Sequence, residues 1–255
     1  MKKILFTLTF YLFVTGSNAQ VQLYGLTYHG GTSAGGTIFH YNPSAAAQTV
    51  DYSIEGGING AYPTGNLTLS GGKFYGMTIS GGASEGGVIF EWDPAANTYT
   101  KKIDLEYTST GAYPYGSLTL NNGKFYGTTE YGGAIARGAI FEWDPATNIY
   151  TKKIDFDYTN GGFPRCNLTL NNGKFYGTTA GGGAYESGVI FEWDPVTNIY
   201  TKKIDLNSTN GANTHCTLVL SAGKFYGITY SGGLNNAGVI FEWDPTTNIY
   251  TKNRS

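Results

Sequence analysis

Glu142 and Asp144 are two carboxylates beside a tryptophan, in the phrase FEWDPATNIYTKKID at residues 141 to 155. Paired carboxyl groups could supply the acid and the base of a hydrolase. A catalytic constellation has to be unique, however, whereas a fold needs the same part in every repeat. Nearly the same phrase recurs at residues 90 to 104, 191 to 205 and 241 to 252. The repetition therefore predicts that these carboxylates are structural.

Side chains that could bind a ligand are expected where the repeats differ from one another. Two loops of each repeat vary, and both should reach the same face of the fold that the repeats build. Aromatic rings there could stack on a sugar or a peptide, while amides and charged groups bind hydroxyls or amines. The candidate binding residues are Tyr62, Glu85, Tyr113, Tyr115, Arg137, Arg165, Tyr185, Glu186, His215 and Asn235.

These loops do not predict an enzyme. Glu85, Glu186, His29 and His215 could act as acids or bases, but no spacing singles out a pair. Short polar loops also occur without any ligand, so that alternative stays open. The Gly-rich segment at 181 to 183 is not followed by a helix, as a phosphate site would require. No metal site of the EF-hand kind and no cofactor is predicted.

Cys166 and Cys216 are the two cysteines of the chain, fifty residues apart. Equivalent positions of neighbouring repeats could approach each other, and an exported protein can form a disulfide. Two small buried thiols are the alternative. With His215 as the one histidine nearby, they make a poor zinc site, which needs four ligands.

Composition and the N-terminus bear on location and partners. The net charge is −2 with 13% charged residues, which argues against a nucleic-acid partner because such proteins cluster Lys and Arg. MKK, an eleven-residue apolar stretch and SNA predict a signal peptide at 1–19, with the mature chain from Gln20. The stretch is too short for a membrane span. We therefore expect export to the periplasm, the cell surface or the medium.

A repeat of about fifty residues organises the mature chain, 20–255. The phrase KFYG begins at Lys73, Lys124, Lys174 and Lys224, and a degenerate LYG precedes them at Leu23. Five units are therefore expected. Their approximate bounds are 21–65, 66–116, 117–166, 167–216 and 217–255.

Each full unit reads as four strands. In the fourth unit these are 167–170, 174–179, 188–193 and 198–206, with the turn Asn171-Asn172-Gly173 after the first. Asp-Pro closes the third strand, where Asp accepts backbone hydrogen bonds and Pro presets φ. Four antiparallel strands in each repeat predict an all-β fold, a β-propeller of about five four-stranded blades.

The order LTL, NNG, KFYGTT, GG, GVIFEWDP, NIYTKKID resembles a kelch-type propeller blade. More closely, Tyr126 to Thr129, Gly132, Gly133 and Ala139 to Phe141 are similar to the Gloeo_Verruco (GloVer) repeat of bacterial exported tandem-repeat proteins. The resemblance covers roughly 21 to 253. It implies export and kelch-like blades, with no catalytic residues to transfer.

One departure concerns the first unit, which lacks the LTL-type inner strand found in the other four. An imperfectly closed ring and a shortened C-terminus are both open alternatives. For function, we expect an exported, non-catalytic module that binds a glycan or an extracellular protein. A structural surface protein without a specific ligand and a carbohydrate-active hydrolase or lyase are the alternatives.

Overall fold

The structure, a computed structural model, describes residues 22–254. Within that range the regular elements are β-strands and two 3-10 helices, Gly57–Asn59 and Leu234–Asn236. The all-β class expected from the sequence is therefore confirmed. No helix among the described residues is long and apolar enough to cross a membrane. The expected signal peptide, 1–19, lies outside the described residues.

The strands form five antiparallel sheets in this range, each built from consecutive strands. Sheet 1 has three strands and the other four sheets have four. Sheet 1 comprises β1 (Leu23–Thr27), β2 (Thr37–Asn42) and β3 (Ala47–Ser53); sheet 2 comprises β4 (Thr68–Ser70), β5 (Lys73–Thr78), β6 (Val88–Asp93) and β7 (Thr98–Asp104). Sheet 3 comprises β8 (Thr119–Asn121), β9 (Lys124–Thr129), β10 (Ala139–Asp144) and β11 (Ile149–Asp155). Sheet 4 comprises β12 (Thr169–Asn171), β13 (Lys174–Thr178), β14 (Val189–Asp194) and β15 (Ile199–Asp205), and sheet 5 comprises β16 (Val219–Ser221), β17 (Lys224–Ile228), β18 (Ile240–Asp244) and β19 (Ile249–Arg254).

The chain divides into two compact units. The first ends at Leu105 and holds sheets 1 and 2; the second begins at Glu106 and holds sheets 3, 4 and 5. Each unit has its own apolar clusters between neighbouring sheets. The candidate site described below belongs to the second unit.

The inner hairpins form where the sequence predicts them. Asn172 and Gly173 have φ of 50° and 78°, which the left-handed turn between β12 and β13 requires. The inner strand is Thr169–Asn171, later than the predicted 167–170. The reason is that Asn167 is used elsewhere: its side-chain oxygen accepts a hydrogen bond from the Ser117 N–H at 2.7 Å.

The third strand of sheets 2, 3 and 4 buries side chains on both faces. In β10, Phe141 and Trp143 point to one face and Ile140 to the other, and all three are fully buried. Gly127 lies opposite Phe141, where an added Cβ would come within 2.6 Å of the ring. A glycine is therefore required beneath the phenylalanine. Burial of side chains on both faces of this strand is what the sequence predicted.

The repeated charged phrase is part of this framework. The Glu142 carboxylate accepts hydrogen bonds from Lys124 Nζ and Tyr126 Oη, both at 2.9 Å. Burial raises the pKa of Glu142, but these two hydrogen bonds and the charges of Lys153 and Lys124 together lower it by more, and the net pKa lies below the usual value. Asp144 Oδ1 accepts from the N–H groups of Ala146 and Thr147 at 2.9 and 3.3 Å. The two carboxylates thus accept hydrogen bonds within their own sheet and stabilise its outer hairpin.

Candidate functional site

An open cleft of about 370 Å³ lies in the second unit, at the ends of strands from sheets 3, 4 and 5. It combines aromatic, charged and amide side chains with two glycines and Ala180. Three of the predicted residues, Arg165, Glu186 and His215, are among its walls. The other side chains that carry its chemistry are Glu130, Tyr131, Phe163 and Asn213.

The connection that precedes each inner strand is held by backbone hydrogen bonds on both sides. Phe163 donates its N–H to the Arg137 carbonyl at 2.8 Å, and its own carbonyl accepts from the Ala180 N–H at 3.1 Å. Phe163 has φ of 58°, which is costly for a bulky residue. Asn213 repeats the arrangement one unit later, with φ of 55° and bonds to Ser187 and Tyr230. The cleft wall is therefore fixed by the backbone of adjoining repeats.

Glu130 and Arg165 form an ion pair at the base of the cleft. Glu130 is 1% exposed. Arg165 Nε donates to Glu130 Oε1 at 2.6 Å, and Arg165 Nη2 contacts the same oxygen. Burial raises the pKa of Glu130, and the bonds from Arg165 oppose that shift without cancelling it. Burial lowers the pKa of Arg165, but its hydrogen bonds to Glu130 and the charge of that carboxylate, with smaller contributions from Tyr115 and Tyr131, raise it by more.

Glu130 was missed by the sequence analysis, which considered loop residues alone. It directly follows β9, and the equivalent residues of the other full repeats are Ile79, Ala180 and Tyr230. Glu130 is the one charged residue at this repeat position. That difference between repeats is the signal that could have identified it.

His215 lies beside the ion pair. Its Nε2 is 3.4 Å from Arg165 Nη1, and its ring stacks on Tyr230 with 5.5 Å between ring centroids. Burial lowers the pKa of His215, and the neighbouring guanidinium of Arg165 lowers it further. The imidazole is therefore neutral at neutral pH and can donate one hydrogen bond and accept another.

Aromatic rings form the other wall. The ring centroids of Tyr131 and Phe163 are 5.3 Å apart, and those of Tyr113 and Tyr131 are 5.9 Å apart. The Arg137 guanidinium lies over the Phe163 ring at 4.6 Å and over the Tyr158 ring at 4.0 Å. Tyr113 and Arg137, both predicted binding residues, thus support the rings that line the cleft.

The remaining predicted residues lie apart from the cleft lining, although Tyr115 is close to it. The Arg165 guanidinium lies 5.5 Å from the Tyr115 ring centroid. Tyr185 is 61% exposed and Asn235 is exposed in the second 3-10 helix; neither lines the cleft. Tyr62 and Glu85 belong to the first unit.

Cys166 and Cys216 are free thiols in the structure, so the disulfide considered above is not formed. Cys166 is buried, and its Sγ lies 2.8 Å from the Thr178 hydroxyl of its own sheet. Cys216 Sγ likewise donates to the Ile228 carbonyl of its own sheet at 2.9 Å. Burial raises the pKa of the Cys166 thiol to about 11, which keeps it protonated. Among residues 22–254, no group of three or more His, Cys, Asp or Glu side chains is placed to hold a metal ion.

The family of the chain is given by its repeats. A family model described as the Gloeobacter/Verrucomicrobia repeat matches residues 12–170 and 105–255, which together span nearly the whole sequence. The chain belongs to the Gloeobacter/Verrucomicrobia repeat family. This confirms the resemblance inferred from the KFYG and GVIFEWDP phrases. A comparison with curated proteins found no match.

Solved structures similar to this Gloeobacter/Verrucomicrobia repeat protein are distant in sequence. TolB from Acinetobacter baumannii is 15% identical, with a TM-score of 0.55 over 91% of this chain and 52% of TolB. A nidogen/laminin complex contains a chain that is 11% identical, with a TM-score of 0.58 over 86% of this chain and 72% of that one. The extracellular domain of a putative one-component system, BT4673 from B. thetaiotaomicron, is 11% identical, with a TM-score of 0.57 over 96% of this chain and 29% of that one.

At these identities the likeness concerns the fold alone. The neighbours are β-propellers, and their likeness supports propeller-type sheets for the repeat. The repeat protein spans about half the length of TolB and under a third of the B. thetaiotaomicron domain.

Proposed function

We propose that this repeat protein is an exported, non-catalytic binding module whose cleft binds a neutral glycan. The observation that carries the proposal is the composition of the cleft. Residues that do not repeat, Glu130, Arg165 and His215 among them, converge there on a pair of aromatic rings. A scaffold position is the same in every repeat, whereas a binding site has to be built from positions that differ.

The chemistry of the cleft favours a sugar. The rings of Tyr131 and Phe163 offer apolar faces for the C–H side of a pyranose, as aromatic residues commonly do in ligand pockets. Glu186, Asn213 and His215 offer acceptors and donors for hydroxyl groups. The volume of about 370 Å³ lies at the small end of ligand sites, which suits one or two sugar rings.

The charges in the cleft argue for a neutral glycan over an acidic one. The walls carry two carboxyl groups, Glu130 and Glu186, against one guanidinium, Arg165. Arg165 also directs two of its nitrogens at Glu130, which leaves less of its charge for a ligand carboxylate. An anionic sugar would have to approach a site with an excess of acidic groups.

Export and the kelch-like type of the blades belong to the same proposal. The N-terminal pattern at 1–19 supports export, and one structural neighbour is described as an extracellular domain and another as part of a nidogen/laminin complex. We infer that the five sheets serve as kelch-like blades that present their variable loops to the outside. A protein partner is the second ligand class to be tested because the nidogen neighbour is described in a complex.

The proposal is tested by incubating the chain from Gln20 onward with arrays of glycans and of extracellular proteins. Saturable binding to a set of neutral glycans supports the proposal. Binding to proteins alone would replace the glycan by a protein ligand. Absence of saturable binding would favour a structural surface protein, and cleavage of a bound glycan would make the protein a hydrolase or lyase; either result contradicts the proposal.

A further inference from the structure

The aromatic wall of the cleft continues beyond the cleft through a cation. Phe163 lines the cleft, and the Arg137 guanidinium lies 4.6 Å from its ring centroid. The same guanidinium lies 4.0 Å from the ring centroid of Tyr158, and Arg137 Nη2 donates a hydrogen bond to Tyr158 Oη. Neither Arg137 nor Tyr158 lines the cleft itself. We call these two side chains the outer platform.

The outer platform is accessible and is formed by residues of the second unit alone. Tyr158 is 51% exposed, and Arg137 is half-buried. Tyr158 lies in the connection between sheets 3 and 4, and Arg137 lies in the loop between β9 and β10 of sheet 3. A ligand in the cleft can therefore continue past Phe163 to Tyr158 along one side of a single unit.

The loop that carries Tyr158 is held by hydrogen bonds at both ends. The Tyr158 carbonyl accepts from the Gly183 N–H at 2.9 Å. Asp157 Oδ1 accepts from the N–H groups of Thr159 and Asn160, both at 2.7 Å, and the Asn160 side-chain oxygen accepts from the Asp157 N–H at 2.8 Å. A ring that is already positioned costs less conformational entropy when a ligand binds it.

The fold does not require these two side chains. The backbone hydrogen bonds of Tyr158 and Arg137 recur at the junction of sheets 4 and 5, where the residues are Ser208 and Ser187. The same backbone is thus formed with two serines, so neither an aromatic ring nor a guanidinium is needed there. By the criterion that identifies the cleft, a position that differs between repeats is available for binding.

The outer platform suits a sugar that follows those in the cleft. The cleft volume of about 370 Å³ suits one or two sugar rings, so a later ring of the same chain lies outside it. The Tyr158 ring offers an apolar face to the C–H side of that sugar. The Arg137 guanidinium has N–H donors besides the one that Tyr158 Oη accepts, and hydroxyl groups can accept from them.

We propose that the cleft and the outer platform together bind a neutral oligosaccharide that is longer than the cleft can hold. Its first sugars occupy the cleft, and a later sugar packs on Tyr158 and accepts hydrogen bonds from Arg137. This inference rests on the proposed function and narrows its ligand from a neutral glycan to an extended chain. Affinity must then increase with chain length, and the increase must depend on Tyr158.

The test is calorimetric titration of oligosaccharides, from disaccharides to hexasaccharides, into the chain from Gln20 onward. The probes are the β-linked series of glucose, xylose and mannose and the α-linked series of glucose. In a series that binds, wild-type affinity should increase by about tenfold beyond the disaccharide and then level off. Tyr158→Ser, which installs the residue present at Ser208, should abolish this increase and leave the disaccharide affinity unchanged. The retained disaccharide binding also shows that the variant is folded.

The matched control is Tyr185→Asn, which removes a tyrosine that is 61% exposed and outside both the cleft and the outer platform. It installs the residue present at Asn235 and should keep the increase with chain length. Hydrogen exchange of the wild type gives a second measurement that needs no variant. The hexasaccharide should protect backbone amides at 156–162 more strongly than the disaccharide does.

The outcomes separate this inference from the proposed function. Equal affinity for disaccharide and hexasaccharide would overturn the extension to Tyr158 and leave a neutral-glycan module whose ligand ends in the cleft. An increase that persists in Tyr158→Ser, or that is lost in Tyr185→Asn, would also overturn it, because the later sugars would then bind elsewhere. Absence of binding by every series and every length would overturn the extended site, and the glycan array would then decide the proposed function separately.

Discussion

Arg165 Nε donates a hydrogen bond to Glu130 Oε1 at 2.6 Å. This contact joins the residue directly after β9 of sheet 3 to the loop that leads into sheet 4. The two residues are 35 positions apart in sequence. The equivalent junction between sheets 4 and 5 has Ala180 and His215 at these positions. One junction is therefore ionic and the next is not, and this difference gives the cleft its charged base.

Removing the cation alone should destabilise the protein. Arg165→Ala leaves the Glu130 carboxylate buried without its counter-ion, and we expect the free energy of unfolding to fall by about 2 to 3 kcal/mol, since Arg165 is itself partly exposed. The double variant Glu130→Ala with Arg165→His, which installs the pair of the next junction, should lose less. Urea unfolding measures both. A double variant as unstable as Arg165→Ala would show that the loss comes from packing and not from the unpaired carboxylate.

Acid stability should depend on the repeated glutamates. Burial raises the pKa of Glu142 and Glu192, but hydrogen bonds from lysine and tyrosine together with the lysine charges hold it below the usual value. A carboxyl whose pKa is lower in the folded state stabilises the fold above its unfolded pKa. That contribution is lost as the pH falls through the folded value.

Stability should therefore decrease as the pH falls below about 4.5. The double variant Glu142→Gln and Glu192→Gln should show a flatter dependence in chemical unfolding recorded from neutral to acid pH. Glu55→Gln, at an exposed glutamate, serves as the control and should follow the wild type. An unchanged slope in the double variant would refute the role assigned to these carboxylates.

The Asp-Pro turn should tolerate asparagine but not alanine. Asp194 Oδ1 accepts from the N–H groups of Val196 and Thr197 at 2.9 and 3.2 Å. Asn42 does the same in sheet 1, where its Oδ1 accepts from the Ser44 N–H at 3.0 Å. Asp194→Ala should lower the melting temperature by about 2 to 4 °C, and Asp194→Asn by less. Equal losses in a thermal unfolding scan would mean that the side-chain oxygen is not what holds this turn.

The glycine beneath each core phenylalanine should be intolerant of any side chain. In Gly177→Ala the added Cβ would come within 2.5 Å of Phe191 Cζ, so we expect a loss of about 1 to 3 kcal/mol by overpacking. Phe191→Leu shortens that side chain and should relieve the clash. A double-variant cycle by urea unfolding should therefore be non-additive; strict additivity would contradict a direct contact.

The strands were largely predictable because their signals are local. A single repeat already shows the turn at Asn172 and Gly173 and the alternation of apolar and charged side chains around Trp193. The same signals recur in the other repeats, which strengthens the prediction. The inner strands were misplaced by one or two residues because Asn167 hydrogen-bonds to a neighbouring repeat, which no local pattern reveals.

The candidate site was predictable in part. Three residues were found because they lie in loops and differ from their equivalents in the other repeats: Arg165, Glu186 and His215. Glu130 was not, because it continues a buried strand and its partner is distant in sequence. Tyr185 also differs from its equivalents in the other repeats, yet its side chain is exposed to solvent. Variation between repeats thus indicates where a site can be, and backbone geometry decides which side chains reach it.

The central claim is most directly tested by calorimetric titration of an array-selected neutral glycan into three proteins. The cleft variant carries Phe163→Asn and Glu186→Asn, residues that other repeats tolerate at the same left-handed positions, as Asn213 and Asn236 show. The control makes the same kind of change in the first unit, Tyr62→Asn and Glu85→Asn. We predict that the cleft variant binds at least about tenfold more weakly, about 1.4 kcal/mol, while the control binds like the wild type. Equal affinity of the cleft variant and the wild type would contradict the account.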